Sequence, residues 1–255
     1  SFISTVLFVP VNTSWYKPAV PVNPYMVQEQ GSSQSSVVKL AFPHDRCKTV
    51  HFVRHAEATS NEAAKGLQGE ARNAAYDDPR WFDARLSPEG QEQCKNLFAN
   101  SQDITFSLAI VSPLTRALQT IKLGLHVPED IPVLALETAR ERKGLHPCDS
   151  RRAKETLQLE YPDIDFSAVP DGEDSFLTKI LGGTFDRRET DEELDQRIQD
   201  TLSFIAKREE KEILFVGHSS FFQRMFEAHI GWDRDSYGPT WLENAELRSV
   251  NLVLR

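Results

Sequence analysis

The residues best suited to chemistry sit where apolar runs stop. In VHFVRHAEATSN, Val50 to Asn61, an apolar stretch ends in Arg54 and His55, and Asn61 follows six residues after the histidine. LFVGHSS repeats the arrangement, with His218 and then Ser219 at the end of the run. Between them, SPLTRALQT places Arg116 in the first turn of a predicted helix, and ETARERKGLHPCDSRR carries Glu141 among cations. A guanidinium beside an imidazole suits an anionic substrate, and open α/β sheets bind ligands outside the carboxyl ends of their strands. Each piece also has a plainer reading. A strand can simply end in polar residues, Arg116 can be solvated or salt-bridged, Glu141 can pair with Arg140 or Arg142, and a lone histidine can be structural. The argument for a site is that all four pieces follow predicted strands.

The elements that must position these residues read as alternating strands and helices from Lys48 onward. Strands are predicted at 49–53, 106–112, 131–137, 212–218 and 247–255. Helices are predicted at 87–100, 113–125, 191–209 and 219–230. Ser87 is the N-cap of the first, Pro88 lies in its first turn, and Leu97 with Phe98 lie on its apolar side. Leu114, Leu118 and Ile121 share one face of the second, and Leu194, Ile198, Leu202 and Ile205 one face of the third. This alternation predicts an α/β fold: a three-layer sandwich with a mostly parallel central sheet and helices on both faces. About 142–190 is Gly- and Pro-punctuated and is expected to be an irregular lid insertion, or a solvated excursion without a role. Residues 1–46 are a Pro/Ser-rich N-terminal extension before a domain at 47–255.

Composition narrows the function. The chain has 255 residues, 40% hydrophobic and 26% charged, with 29 Lys and Arg against 38 Asp and Glu and a net charge of −9. Such an acidic balance argues against nucleic acid or an anionic membrane as partner, and leaves room for a basic pocket that takes a small anion. Cys47, Cys94 and Cys148 show no metal-ligand or redox spacing. Reduced thiols, and so an intracellular and cytoplasmic setting, are expected. No apolar run approaches the roughly 20 residues of a membrane span. SFISTVLFVPV has about the length of a signal core, yet it lacks a basic lead and is interrupted by Ser4, Thr5 and Pro10. A trimmed targeting segment and a packed N-terminal arm both stay open.

The conjunction of motifs resembles the histidine phosphatase superfamily, whose founding fold is that of cofactor-dependent phosphoglycerate mutase. That family carries Arg-His-Gly after its first strand, with Asn six residues beyond the histidine. It also carries Ser-x-x-x-Arg-Ala-x-Gln-Thr, an Arg-Glu or Leu-x-Glu acid segment, and a late Val-x-His-Gly. Here these are RHAEATSN, SPLTRALQT, RERKGLHPCD and VGHSS, in the family's order, and LSPEGQEQC and NAEL also resemble family segments. The resemblance runs from about Lys48 to Arg255. Ala56 replaces the usual glycine after the first histidine, and Ser219 with Ser220 replaces the glycines after the second, which bears on the shape of the pocket.

The resemblance implies a phosphoglycerate mutase-like fold and a metal-independent phosphomonoesterase of the histidine acid type, with no cofactor. His55 is then the nucleophile that becomes phosphohistidine, and Glu141 the general acid and base. Arg54 and Arg116 clamp the phosphoryl oxygens, Asn61 donates to them, a cationic His218 stabilises the developing charge, and Ser219 stands among the binding residues. Arg142, Lys143, His146, Arg151 and Arg152 are expected at the pocket mouth, where they suit a sugar phosphate or phospho-acid, or else form a basic surface patch. The implied partner is a small phosphorylated substrate; the oligomeric state is left open. The acid segment lacks the Tyr-Gly continuation of glycolytic mutases, which favours a phosphatase. A phosphoglycerate-type mutase is the first alternative, and a non-catalytic phospho-ligand binder or interaction module the second.

Overall fold

A computed structural model describes residues 7–9, 47–232 and 238–253. Its strands are β1 (Leu7–Val9), β2 (Cys47–Arg54), β3 (Leu108–Val111), β4 (Val133–Leu136), β5 (Asp165–Ala168), β6 (Glu212–Gly217) and β7 (Leu247–Val253). They form one sheet in the order β1-β7-β2-β6-β3-β4-β5. β2, β6, β3, β4 and β5 run parallel, while β7 is antiparallel to β2 and β1 antiparallel to β7. The sheet is therefore mixed and mostly parallel, as the alternation of elements predicts.

Two faces of that sheet are dry. Alternate strand residues point to opposite sides, so Phe52, Ile110 and Phe215 enter one cluster while Val53, Ala109, Val111, Leu214 and Val216 enter another. The first is closed by Leu194 and Ile198 of α6 (Asp191–Lys207) and by Phe221 and Phe222 of α7 (Ser219–Arg224). The second is closed by Leu118 and Ile121 of α4 (Thr115–Gly124) and Leu157 of α5 (Lys154–Glu160). α3 (Pro88–Asn100) packs on α4. Layers of helix, sheet and helix follow directly from strands that are apolar on both faces.

Helix starts follow local chemistry. The Ser87 hydroxyl accepts from the Gly90 amide at 3.0 Å with Pro88 in the first turn of α3. At α6, Thr190 and Glu193 exchange side-chain and backbone hydrogen bonds as a capping box.

Several expectations need correction. Phe98 is 41% exposed while Leu97 is buried, so the apolar side of α3 is narrower than the paired residues suggest. The helix expected over 219–230 is α-helical only to Arg224 and continues as a π-helical turn, Met225–His229. The segment 142–190 is not uniformly irregular: α5 and β5 lie within it, and β5 extends the sheet beside β4. Two short helices, α1 (Thr59–Ala63) and α2 (Gly69–Tyr76), follow β2 without a sequence signal strong enough to predict them.

Of the proposed N-terminal extension, Leu7–Val9 pair with Asn251–Val253. The rest of it, with the candidate targeting segment's remaining residues, lies outside the described residues. No helix among the described residues is long and apolar enough to cross a membrane.

Candidate active site

The register of the central strands brings the two histidines together. β2 and β6 pair in parallel with Arg54 opposite Gly217, so His55 and His218 leave adjacent strands at the same level. Their ring centroids lie 5.0 Å apart with the planes tilted by 57°. The end of β2 is fixed from two sides. The Asn244 side-chain Nδ2 donates to the His55 carbonyl at 3.0 Å and the Ala245 backbone amide to that of Arg54 at 3.1 Å. This is what NAEL does. In LSPEG, the Ser87 amide donates to the Glu57 carbonyl at 3.0 Å and its hydroxyl to Glu57 Oε1 at 2.9 Å, which anchors the loop just beyond His55.

His55 is buried, and its two ring nitrogens are differentiated. Nδ1 lies 2.7 Å from the Ala56 carbonyl, which can only accept, so the proton resides on Nδ1. Nε2 then carries the lone pair, and Arg116 Nε donates to it at 3.2 Å. Burial, followed by the guanidiniums of Arg116 and Arg54, holds the imidazole well below the usual histidine range. The ring is a neutral base with its lone pair directed at a cation.

Arg116 comes from the first turn of α4, which starts just after β3. Its Nη2 pairs with Asp149 Oδ1 at 3.0 Å and its Nη1 donates to the Cys148 carbonyl. Arg54 is buried, donates from Nη1 to the Leu242 carbonyl at 2.8 Å, and lies 5.2 Å from the centre of the Trp241 ring. Its Nε has no hydrogen-bond partner among the described residues. His218 Nε2 and Ser112 Oγ lie 2.7 Å apart, while its buried Nδ1 has no hydrogen-bond partner among the described residues. Burial, then Arg116 and His55, push His218 well below the usual histidine range. The protein's own charges thus favour a neutral ring where a cation was expected; a phosphoryl dianion beside it would favour the protonated form.

Glu141 reaches the same place from beyond β4. Its Oε1 accepts from the amides of Arg142 at 2.9 Å and Phe221 at 3.0 Å, and its Oε2 from that of Ser220 at 3.3 Å. Burial, and then the Asp149 carboxylate, raise its pKa above the ordinary glutamate value, against the pull of those amides and Arg116. Glu137, the other acid in the segment, is committed elsewhere: it pairs with Arg140 at 2.7 Å and Arg151 at 3.0 Å. Asn61 accepts from the Ala58 amide at 3.1 Å and donates to the Tyr76 hydroxyl at 3.2 Å.

Arg54, His55, Asn61, Arg116, Glu141 and Ser219 line one pocket, whereas His218, expected among the binding residues, is fully buried beside His55 and is not part of the lining. Ala56 does not crowd this pocket. Its side chain packs with Leu86 and Cys94, and its amide donates to Thr120 Oγ1 at 3.0 Å. Ser219 and Ser220 do line it.

The mouth differs from expectation. Of the five basic residues foreseen there, only His146 lines the pocket. Arg142 pairs with Asp191 at 2.5 Å, Arg151 with Glu137, and Arg152 with Asp83 at 3.0 Å and Glu160 at 2.6 Å. Lys143 is buried against the Phe176 ring, 3.2 Å from its centre. Burial, then Arg197 and Arg140, lower its pKa to about 8. The mouth is built instead by Arg72, Asn73 and Tyr76 of α2, by Arg188, and by Trp241. Asp149 was also missed, although it stands in the HPCD stretch close behind the acid. Among the described residues, no group of three or more His, Cys, Asp or Glu side chains is arranged to hold a metal ion.

Comparison with known proteins points to one family. The family profile of the histidine phosphatase superfamily (branch 1) matches residues 50–253. A phosphoglycerate mutase-like protein of Arabidopsis thaliana is 32% identical over 248 residues, covering 84% of this chain and 88% of its own. Phosphoglycerate mutase-like protein 1 of the same plant is 33% identical over 251 residues, covering 84% of each. Among solved structures, phosphoglycerate mutase from Bacillus anthracis superposes with a TM-score of 0.52 at 20% identity, covering 83% of this chain and 92% of its own. The ecdysone phosphate phosphatase of Bombix mori superposes with a TM-score of 0.51 at 13% identity, covering 79% and 88%. At these identities the two structures speak to the fold alone.

Proposed function

The chain belongs to the histidine phosphatase superfamily, and on that premise we propose that it hydrolyses a small phosphorylated metabolite, such as a sugar phosphate or phospho-acid, through a phosphohistidine at His55. The observation that carries this reading is the state of the His55 ring. Its proton is held on Nδ1 by the Ala56 carbonyl, and its Nε2 lone pair lies beside Arg116. A neutral imidazole can attack phosphorus, and a covalent intermediate divides a hard displacement into two easier ones.

In the first half, Nε2 forms a bond to phosphorus as the ester oxygen leaves. Arg54 and Arg116 neutralise the equatorial oxygens, whose charge must be matched for transfer to proceed. Arg116 would exchange part of its contact with His55 for a phosphoryl oxygen. His218, buried beside His55, gains a proton more readily as the dianion approaches and then adds to the same stabilisation. Asn61 supplies a further donor. Glu141, whose raised pKa favours the protonated form, gives its proton to the leaving alkoxide. In the second half, the resulting carboxylate takes a proton from water, hydroxide attacks phosphorus, the N–P bond breaks, and phosphate departs. The positive charge in this scheme comes from side chains, so no metal is called on.

A mutase is the rival within the same family, and the names of the Arabidopsis relatives favour it. One assay separates the two: a panel of phosphomonoesters, with and without 2,3-bisphosphoglycerate. Release of inorganic phosphate supports the hydrolase, and relocation of phosphate without release supports the mutase. His55→Ala should abolish either activity, and the trapped phosphoenzyme should be labile to acid and stable to base. Near wild-type turnover in His55→Ala would sink both readings.

A further inference from the structure

The segment that carries Glu141 has little regular structure of its own to hold it. Past β4 it makes one turn of 3-10 helix, Glu137–Ala139, and then runs to Glu141 in neither helix nor strand. A side chain that must deliver a proton to one oxygen needs a better-fixed backbone than a free loop supplies.

Arg197 of α6 holds that backbone. Its Nη1 donates to the carbonyls of Thr138 at 2.8 Å and Arg140 at 2.9 Å, and its Nη2 to that of Glu141 at 3.1 Å. Its Nε and Nη2 also hold the Glu189 carboxylate, at 2.6 and 2.5 Å. Every N–H of the guanidinium is thereby in use. Glu189 in turn accepts from the Lys143 amide at 3.1 Å, and its own amide donates to the Lys143 carbonyl at 2.8 Å. It stands just before Thr190, the cap of α6, so the start of the helix sets its place relative to Arg197. The guanidinium also lies 5.4 Å from the centre of the Phe221 ring, and the Phe221 amide is one of the donors to the Glu141 carboxylate. Backbone on both sides of Glu141, and one contact of its carboxylate, therefore converge on Arg197 and its partner. Arg197 itself is buried and is not part of the pocket lining.

Burying a guanidinium with a carboxylate is a poor source of stability, because desolvation consumes most of the attraction. Its distinct contribution is direction, since the planar fork fixes several acceptors at once. We propose that Arg197, held by Glu189, is a positioning residue for the general acid: it sets the backbone from Thr138 to Glu141 so that the Glu141 carboxyl meets the leaving oxygen. This rests on the reading of Glu141 as the acid, and adds to it a residue that stands outside the pocket. Arg197→Lys keeps the charge but donates from a single nitrogen, so it cannot span Glu189 and the carbonyls of Thr138, Arg140 and Glu141.

The test compares two esters in the full-length protein. For Arg197→Lys, kcat/KM with glycerol 3-phosphate should fall roughly 10- to 100-fold, the scale of a misplacement of about 1 Å. With p-nitrophenyl phosphate, whose leaving group needs little protonation, it should fall by no more than about twofold. The ratio of the two losses does not depend on how much of a sample is folded, which separates positioning from instability. Glu189→Gln keeps the shape and removes the charge. It should show the same pattern at smaller amplitude, and it serves where Arg197→Lys does not fold. Arg197→Lys added to Glu141→Gln should cost nothing further with glycerol 3-phosphate, because residues that act through one group are not additive. Equal losses with both esters, or a full further loss in the Glu141→Gln background, overturn the proposal. If Glu141→Gln alone shows no dependence on the leaving group, the assignment of the acid fails and the positioning role falls with it. If the wild type hydrolyses neither ester, the hydrolase reading fails, and a crystal structure of Arg197→Lys decides the tether by itself. A Glu141 carboxylate displaced from the Ser220 and Phe221 amides supports it, and one still in place overturns it.

Discussion

Two titratable residues with oppositely displaced pKa values set the pH behaviour. His55 must be neutral to attack, and its pKa is held low; Glu141 must be protonated to assist the leaving group, and its pKa is held high. Turnover should therefore rise through an acidic limb below the ordinary histidine range and fall through an alkaline limb above the ordinary glutamate range. Glu141→Gln should lower turnover of alkyl phosphates by about 100- to 10,000-fold. The loss should be much smaller with p-nitrophenyl phosphate, whose leaving group needs little protonation. The alkaline limb should flatten with that substrate as well. Equal losses for good and poor leaving groups would assign Glu141 a structural role, and a larger loss in Glu137→Gln would move the assignment there. Because guanidiniums supply the positive charge, chelators should leave the rate unchanged; a strict requirement for added magnesium or zinc would contradict the scheme.

At the level of elements, legibility follows regularity. Arg54, His55, Arg116, Glu141 and His218 were readable because each stands at or shortly past the end of a strand whose apolar run is plain in the sequence. The sheet does the rest, since parallel strands in register deliver their carboxyl ends to one edge. Arg72, Asp149, Arg188 and Trp241 were not readable, because they ride on short helices and loops that carry no period. The same absence of period concealed α5 and β5. Basic residues after the acid were misassigned because charge alone does not say whether a guanidinium faces the pocket or a neighbouring carboxylate. Helix α3 shows how such a device can hide in one glycine. A Cβ on Gly90 would lie 2.0 Å from the Glu57 carbonyl oxygen, in the loop two residues beyond His55. The obstacle is backbone, so α3 or the loop must move. Gly90→Ala should destabilise the fold by about 1–3 kcal/mol despite its better helix propensity, the usual cost of overpacking. It should also lower kcat by displacing His55. Thermal unfolding and steady-state kinetics on the one variant check both; an unchanged melting temperature would mean that the contact is slack.

Across the whole molecule, the buried site sets how stability responds to acid. In the unfolded chain a histidine takes up a proton near pH 6.5, whereas in the fold His55 and His218 resist it to well below that value. Over the interval between those two values the unfolded state binds more protons, so stability falls as pH falls. Glu141 acts in the opposite sense, since its raised folded pKa lets the native state bind a proton before the unfolded chain does. Two histidines against one glutamate leave a net loss that begins near pH 6.5. A separate loss follows below about pH 4.5, where Glu160, Glu193 and Asp195, held at about 2 by their arginine partners, must be protonated. The melting temperature should thus decline from pH 7.5 to pH 5.5, before those surface ion pairs are touched. His218→Gln should remove part of that decline. On the proposed reading inorganic phosphate binds the folded site and favours a protonated His218, and it should then restore more stability at pH 5.5 than at pH 7.5. A melting temperature that is flat over this interval, or a decline that His218→Gln leaves untouched, would show that the buried histidines are not the groups that couple the active site to the fold.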